Sequence, residues 1–478
     1  MARFETVDVC KECGSCGGTR CAPVREPHLR SYDGIRFTAD GFDCALPVSI
    51  DSHSHCSYGC LYCFSDSLVS HAYSTGRPVG QIPLSQIERI LAGEGGKRGA
   101  SIRQALRYDS RINGYPCAVQ LGALNDPCDH IERNQGWLLQ FIDLAIKYRQ
   151  PVRISTKGTT LALPEYQRAM GRAPELFWVA FSIISPDDEL MARLDRRAPS
   201  PTERLATMAT LSHLGVKTAL RLRPMMPGAS DATPKHPRAY KELIERATAA
   251  GARAISTEVV FLPGAMAALL KSRWATISSL LGIDMRKMYG TFGPSQSCTR
   301  PAYTWTENLM HRVVESAHEN GLTVGVSDPV WKQLGDTGCC CGILPDDPVF
   351  GNWQRESATN QFLIAKATGK EICAADVIPA WAYSVKLSEM VNLGTGPKNM
   401  CWRLHATWAD KLYKIWNDVG GQRSPLNYFQ GALMPTRSTP DKGLYYKYVG
   451  LQRHYPQSAV GWSNALVYPR LARRDVKP

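Results

Sequence analysis

Apolar positions along the chain follow two rhythms. Short runs rich in β-branched and aromatic residues predict strands at Leu46–Ile50, Ala118–Gly122, Val152–Thr156, Leu176–Ile183, Lys217–Arg223 and Ile255–Phe261. Between several of them the spacing changes to i, i+3, i+4, i+7, first at Leu138, Phe141, Ile142 and Ala145. It recurs at Tyr240, Leu243, Ile244 and Ala247, and at Leu309, Val313, Val314 and Ala317, and predicts helices. Strands alternating with helices predict an α/β fold with a parallel sheet and crossover helices. About six such units fit a partial (β/α)6-type barrel whose chemistry sits at the carboxyl ends of its strands.

Beyond Val326 the pattern loses its regularity, with Gly, Pro and Trp scattered to the end. Three segments are therefore expected: a cysteine-rich N-terminal metal-binding segment over 1–45, the barrel over 46–326, and an irregular C-terminal extension over 327–478. The 478 residues agree with two to four units at about 100 to 200 residues each. A chain that is 44% hydrophobic and 21% charged excludes disorder, collagen and a bundle of membrane spans. No apolar stretch is long enough to span a bilayer, and MARFETVDVCKECGSC lacks the layout of an export signal, so a cytoplasmic protein without a membrane part is expected. The 56 basic residues outnumber the 43 acidic ones, giving +13, a balance that favours a nucleic acid or nucleotide as partner.

The 16 cysteines change the picture most. In a reducing compartment clustered thiols read as metal ligands. Cys56, Cys60 and Cys63 form C-x3-C-x2-C in one loop directly after a predicted strand. Three thiolates on a cubane 4Fe-4S cluster leave one iron open to an outside ligand, whereas structural zinc takes four protein ligands. A zinc site completed by His53 or His55 is the alternative. Gly59 permits the tight loop, and Tyr62 places a planar ring just before the last cysteine, where it suits contact with a nucleoside.

At these residues the chain resembles the radical S-adenosylmethionine (SAM) superfamily, whose hallmark is this cysteine spacing with an aromatic before the last cysteine. Three further segments resemble the branch related to spore photoproduct lyase: Gln120 to Glu132, Ile154 to Gly158, and Phe181 to Gly228, within roughly 40% of the chain. The resemblance implies a 4Fe-4S cluster on Cys56, Cys60 and Cys63 that binds SAM, and a reducing partner such as flavodoxin or ferredoxin. It implies SAM contacts from Tyr62, Asp126, Lys157 and Ser182. Read bare, Lys157 is a solvated strand-end lysine, Asp126 an Asx turn before Pro127, Ser182 an ordinary strand-terminal serine, and Arg204 an exposed helix former. The lyases carry a hydrogen-returning cysteine at the position of Ala123, so Cys128, in the loop after the strand, is the expected substitute, and photoproduct reversal is not implied.

Cys10, Cys13, Cys16 and Cys21 form a ferredoxin-like run that suits a second 4Fe-4S cluster or a zinc ion. Cys339, Cys340 and Cys341 are consecutive; two of them, joined by Cys298, Cys373 or Cys401, make a candidate auxiliary site, and thiols in a tight turn are the plainer reading. Cys44 reads as core. Trp402, Trp408, Trp416, Tyr445 and Tyr446 lie among Lys and Arg, a mix that suits stacking on bases or ordinary aromatic packing. The function expected is therefore a radical SAM enzyme acting on a nucleic acid or nucleotide. The alternatives are one acting on a peptide or small metabolite, and a non-enzymatic zinc-binding nucleic-acid module.

Overall fold

The computed structural model describes residues 29–31, 34–37, 46–63, 79–111, 113–260, 262–263, 267–284, 289–292, 298–351, 353–354, 356–387, 406–421 and 423–450. Cys10, Cys13, Cys16, Cys21, Cys44, Cys401 and Trp402 lie outside the described residues.

Eight strands form one sheet: β1 (Ile35–Phe37), β2 (Val48–Ile50), β3 (Val119–Leu121), β4 (Val152–Thr156), β5 (Phe177–Ser182), β6 (Lys217–Met225), β7 (Ala252–Val259) and β8 (Thr323–Val326). Each strand lies beside the next in the chain. All pairs from β2 onward are parallel, and β1 alone runs antiparallel, against β2. Crossovers that step in one direction put every connecting helix on one face, because the hand of the connection is fixed. The sheet therefore curls with its bare face inside, and as β1 and β8 do not pair, the barrel is partial.

The connections carry α1 (Leu84–Ala92), α2 (Gly96–Ala105), α3 (His130–Gln135), α4 (Trp137–Lys147), α5 (Pro164–Met170), α6 (Asp188–Leu194), α7 (Pro201–His213), α8 (Ala239–Ala249), α9 (Ala267–Leu281) and α10 (Tyr303–Glu319). The three predicted apolar stripes are buried faces of α4, α8 and α10. Helix α7 begins where Ser200 and Glu203 cap one another and Pro201 occupies the first turn. Six of the eight strands fall on the predicted apolar runs, with β7 beginning three residues before the predicted Ile255, while β1 and β8 lie outside those runs.

The inner and outer faces of the sheet differ in kind. Val119, Val152, Ile154, Phe177, Val179, Leu220 and Ile255 face the helices and are buried. The alternate positions are polar on several strands: Ser49, Gln120, Arg153, Ser155, Ser182, Arg221, Arg223, Ser256 and Glu258. Parallel strands covered on both faces are usually apolar throughout, so a polar inner face marks a lumen that serves a polar occupant.

The segment expected to be irregular carries α11 (Ala358–Thr368), α12 (Trp408–Asn417) and the hairpin β9 (Leu433–Thr439) with β10 (Gly443–Tyr448). One apolar core runs from Ile35 to Tyr446. Trp408, Trp416 and Tyr446 are buried in it, while the Tyr445 ring lies under the Arg437 guanidinium at 3.6 Å. The 339–350 segment closes the amino-terminal mouth of the barrel. Phe350 meets Trp178 edge-on at 5.9 Å, and Lys217 pairs with Asp347 at 2.5 Å. Gly325 has to be glycine, since a Cβ would sit 2.3 Å from the Gly342 nitrogen. Among the described residues no helix is long and apolar enough to cross a membrane.

Phe350 is fully buried in this plug. Replacing it with alanine is expected to cost about 3–5 kcal/mol, seen as a lower urea midpoint with an unchanged slope.

Candidate functional site

The cysteine loop leaves β2 at the carboxyl end of the sheet, and buried carboxylates hold it there. Asp51, the first residue after β2, accepts the backbone N–H groups of Ala123 and Leu124, each at 2.9 Å, and pairs with Arg36. That fixes the loop after β3 beside the loop after β2. Asp129 accepts the Ser57 N–H and hydroxyl, both at 2.8 Å, and caps α3 through the Ile131 N–H. Tyr58 donates to the Cys128 carbonyl at 2.9 Å, and the Leu61 N–H donates to Leu194 O at 2.9 Å. Gly59 sits at φ +61° with open space around it, so the turn itself demands glycine.

A second carboxylate centre fixes the end of the loop. Asp195, fully buried, accepts from the Tyr62 hydroxyl, from Lys157 Nζ at 3.0 Å and from Arg204 Nη2 at 2.8 Å. Arg204 also donates to the carbonyls of Ser182 and Pro199, each at 2.8 Å. Burial alone would raise Asp195; Lys157, Arg204 and the Tyr62 hydroxyl outweigh it and hold the carboxyl at about 2. The knot joins the loop, β4, β5 and α7. Arg204 is thus not an exposed helix former: it is wholly buried, because its guanidinium, with Lys157, is a counter-charge to a buried aspartate.

These elements enclose one cavity of about 860 Å³, counting its open mouth. Its wall includes Cys56, Cys60 and Cys63, then Tyr62, Asp126, Lys157 and Ser182, together with Arg221, Arg223 and Glu258. The structure brings together the motif cysteines and all four expected cofactor contacts. Several are already engaged with protein. Asp126 accepts from Thr156 Oγ1 at 2.7 Å, Lys157 N at 2.6 Å and Cys128 N at 3.0 Å, the last being the Asx turn. Lys157 is neither solvated nor free, since it binds Asp195 and, at 2.6 Å, the Tyr62 oxygen. Ser182 Oγ accepts from Arg221 at 3.0 Å.

Cys128 is not brought to the cavity. It is buried in the core behind the wall, held by the Tyr58 bond to its carbonyl and pressed against Gly158, where a Cβ would lie 2.7 Å from its own. Cys339 and Cys340 are buried in the turn of the amino-terminal plug, where Cys339 Sγ accepts the Ile343 N–H at 3.3 Å. Cys298 lies on a separate short strand, Cys298–Pro301. Among the described residues no three His, Cys, Asp or Glu side chains converge on a single-ion site.

The cysteine trio suits a cluster better than one zinc ion. Cys56, Cys60 and Cys63 all line the cavity, and three thiolates that each serve a different iron leave one iron of a cubane open. His53 is spoken for, with Nδ1 at 2.8 Å from Ser52 Oγ and Nε2 at 3.1 Å from Gln81, and burial, then His55, lowers its pKa to about 3. His55 Nδ1 meets Ser54 Oγ at 2.5 Å. Burial also pushes the Cys56 and Cys60 thiols well up, so metal loading there releases protons.

No family model matches the chain. Uncharacterized proteins of Mycobacterium bovis and Mycobacterium tuberculosis are 25% identical to it over 261 residues, 52% of this chain and 72% of theirs. Among solved structures, spore photoproduct lyase complexed with dinucleoside spore photoproduct aligns over 63% of this chain and 81% of its own, with TM-score 0.47 and 14% identity. Streptococcus suis SuiB bound to S-adenosylmethionine aligns over 44% of this chain and 38% of its own, with TM-score 0.30 and 13% identity.

Asp51, Asp129 and Asp195 carry roles that the sequence reading did not assign. The one signal available was position, each falling just after a strand or at a helix end. Asp195→Asn leaves Arg204 and Lys157 buried without a counter-charge and is expected to cost about 3–5 kcal/mol. The carboxyl lies below its ordinary 3.8 in the folded chain, so wild type has this stability above pH 3.8 and loses it as pH falls through about 2. The variant should lack it across that range when unfolding free energy is followed against pH.

Proposed function

We propose that the chain is a radical SAM enzyme in which Cys56, Cys60 and Cys63 hold a 4Fe-4S cluster and the cavity beside them takes S-adenosylmethionine. The observation that carries this reading is that, among the described residues, Cys56, Cys60 and Cys63 line one cavity at the carboxyl end of a curled parallel sheet and no other Cys or His lines it. The chemistry such a cluster supplies when bound is one-electron reduction of the SAM sulfonium, from which a hydrogen-abstracting 5′-deoxyadenosyl radical follows.

The chain's own residues position and shield that chemistry. Asp129 and Asp51 hold the loops that bear and face the cysteines. The Asp195 knot fixes Tyr62, whose ring lies with Lys157 Nζ 4.9 Å from its centre. Gly122, Ala123 and Leu124 also line the cavity, and none has a side chain that donates or accepts. Ala123 offers no thiol, so this reading carries no photoproduct reversal. The substrate proposed is a nucleotide or nucleic acid, supported by the +13 charge and by guanidinium groups inside the cavity. A flavodoxin or ferredoxin as reductant, a second centre on the N-terminal cysteines and a cytoplasmic location belong to the same proposal.

Anaerobic reconstitution tests it. Wild type is expected to turn brown and, with dithionite and SAM, to form 5′-deoxyadenosine. Cys60→Ser should lose about four irons per chain and lower that product at least a hundredfold. A colourless protein holding zinc would overturn the reading. Deuterium passing from labelled nucleotides into 5′-deoxyadenosine would identify the substrate, and its appearance from a labelled peptide instead would replace the nucleotide.

A further inference from the structure

Inside the barrel, positive charge exceeds the negative charge set against it. Arg153 is 4% exposed, on the inner face of β4. Its Nη1 donates only to neutral oxygens, Gln120 Oε1 at 2.5 Å and Ser155 Oγ at 2.6 Å, while Nε and Nη2 have no partner. Arg221 donates through Nη1 to Ser182 Oγ at 3.0 Å, and its Nε is unpartnered. Trp178, in register with Arg153 on the next strand, has an unpartnered buried Nε1 as well.

The carboxylates nearby are committed elsewhere. Of the two lining the cavity, Asp126 is taken by two donors at the end of β4 and by the Cys128 N–H, and Glu258 binds Arg223 at 2.5 Å. The plug offers thiols next to the guanidiniums, Cys340 by Arg221 and Cys341 by Arg153, and thiols are weak acceptors. Burial, then repulsion from Arg223 and Arg153, lowers the Arg221 pKa to about 9. Buried cations and orphaned N–H donors are costly, and each one in a native structure calls for an explanation, a bound ion or a functional role among them.

We propose that Arg153 and Arg221, with Trp178 and Ser155, form an oxyanion site in the barrel lumen that seats a phosphate or carboxylate of the substrate below the SAM cavity. This rests on the reading above for what lies at the mouth. Arg153 precedes Lys157 by four residues, about 13 Å along the strand at 3.3 Å per residue, so the head group lies deep and the rest of the substrate extends toward the cysteines. Two guanidinium forks suit an oxyanion with several acceptor oxygens. So confined a seat takes a single small group, not a stretch of duplex.

The test uses the full-length, anaerobically reconstituted protein with SAM present, titrated calorimetrically with inorganic phosphate and, separately, with acetate. One equivalent of phosphate or of acetate is expected to bind saturably, and whichever binds assigns the head group. Arg153→Met and Arg221→Met should each weaken that binding at least tenfold, and the lysine variants should recover part of it. Arg172→Met, on the surface beside Asp143, should leave it unchanged. If a methionine variant does not fold, the lysine variant and the anion-induced rise in wild-type melting temperature carry the test. Wild type that binds neither anion, or binding equally strong in both methionine variants, overturns the proposal. Failure of wild type to form 5′-deoxyadenosine is a separate result: it removes the radical reading and leaves anion binding to be judged by itself.

Discussion

The carboxylate of Asp195 is the tie on which the site depends. It accepts from the cysteine loop, from the end of β4 and from α7, and without it the buried cations Lys157 and Arg204 would have no counter-charge. A fully buried aspartate is costly unless its charge is matched and its oxygens are bonded, and here two cations and a phenol do both. The arrangement sets Tyr62, and with it the run of residues that ends in Cys63. Asp51 and Asp129 apply the same device to the other end of the loop and to the loop after β3.

That scaffold separates two environments. Outward-facing side chains are apolar and join one core from Ile35 to Tyr446, which supplies the stability of the molecule. Inward-facing positions are polar and rich in arginine. The plug at the amino-terminal mouth covers the lumen through Trp178, Phe350 and the Lys217–Asp347 pair, and the cavity lined by the cysteines lies at the carboxyl end. Charge inside such a closed space is screened little, which makes the unmatched guanidiniums of Arg153 and Arg221 more consequential than many surface lysines.

Much of the site was legible in advance. The C-x3-C-x2-C spacing with Tyr62, and strand ends at Lys157 and Ser182, marked one mouth of a barrel, and the cavity unites them. Arg204 was misread because a helix start with flanking polar residues looks solvated; its burial follows from Asp195, which no local pattern links to it. Cys128 looked close to the chemistry because it follows β3, yet its chain turns behind the wall to cap and support α3. The inward arginines did have a local signal, the alternation in Val152-Arg-Ile-Ser and Ala219-Leu-Arg-Leu-Arg. It was hidden because runs of branched residues read as uniformly apolar.

The amino-acid order by itself determined the elements and their succession, since β-branched runs, helical spacing, the Ser200–Glu203 cap and short connections are local properties that fix one hand of crossover. It also determined the cysteine trio and its open geometry, which lie within eight residues. Only the tertiary structure decided which charges meet and which remain unmatched. Pairing Asp195 with Arg204 and Lys157, or leaving Arg153 without a carboxylate, depends on distances across strands. Desolvation, which gives those charges their energetic weight, exists only once the sheet has closed around them.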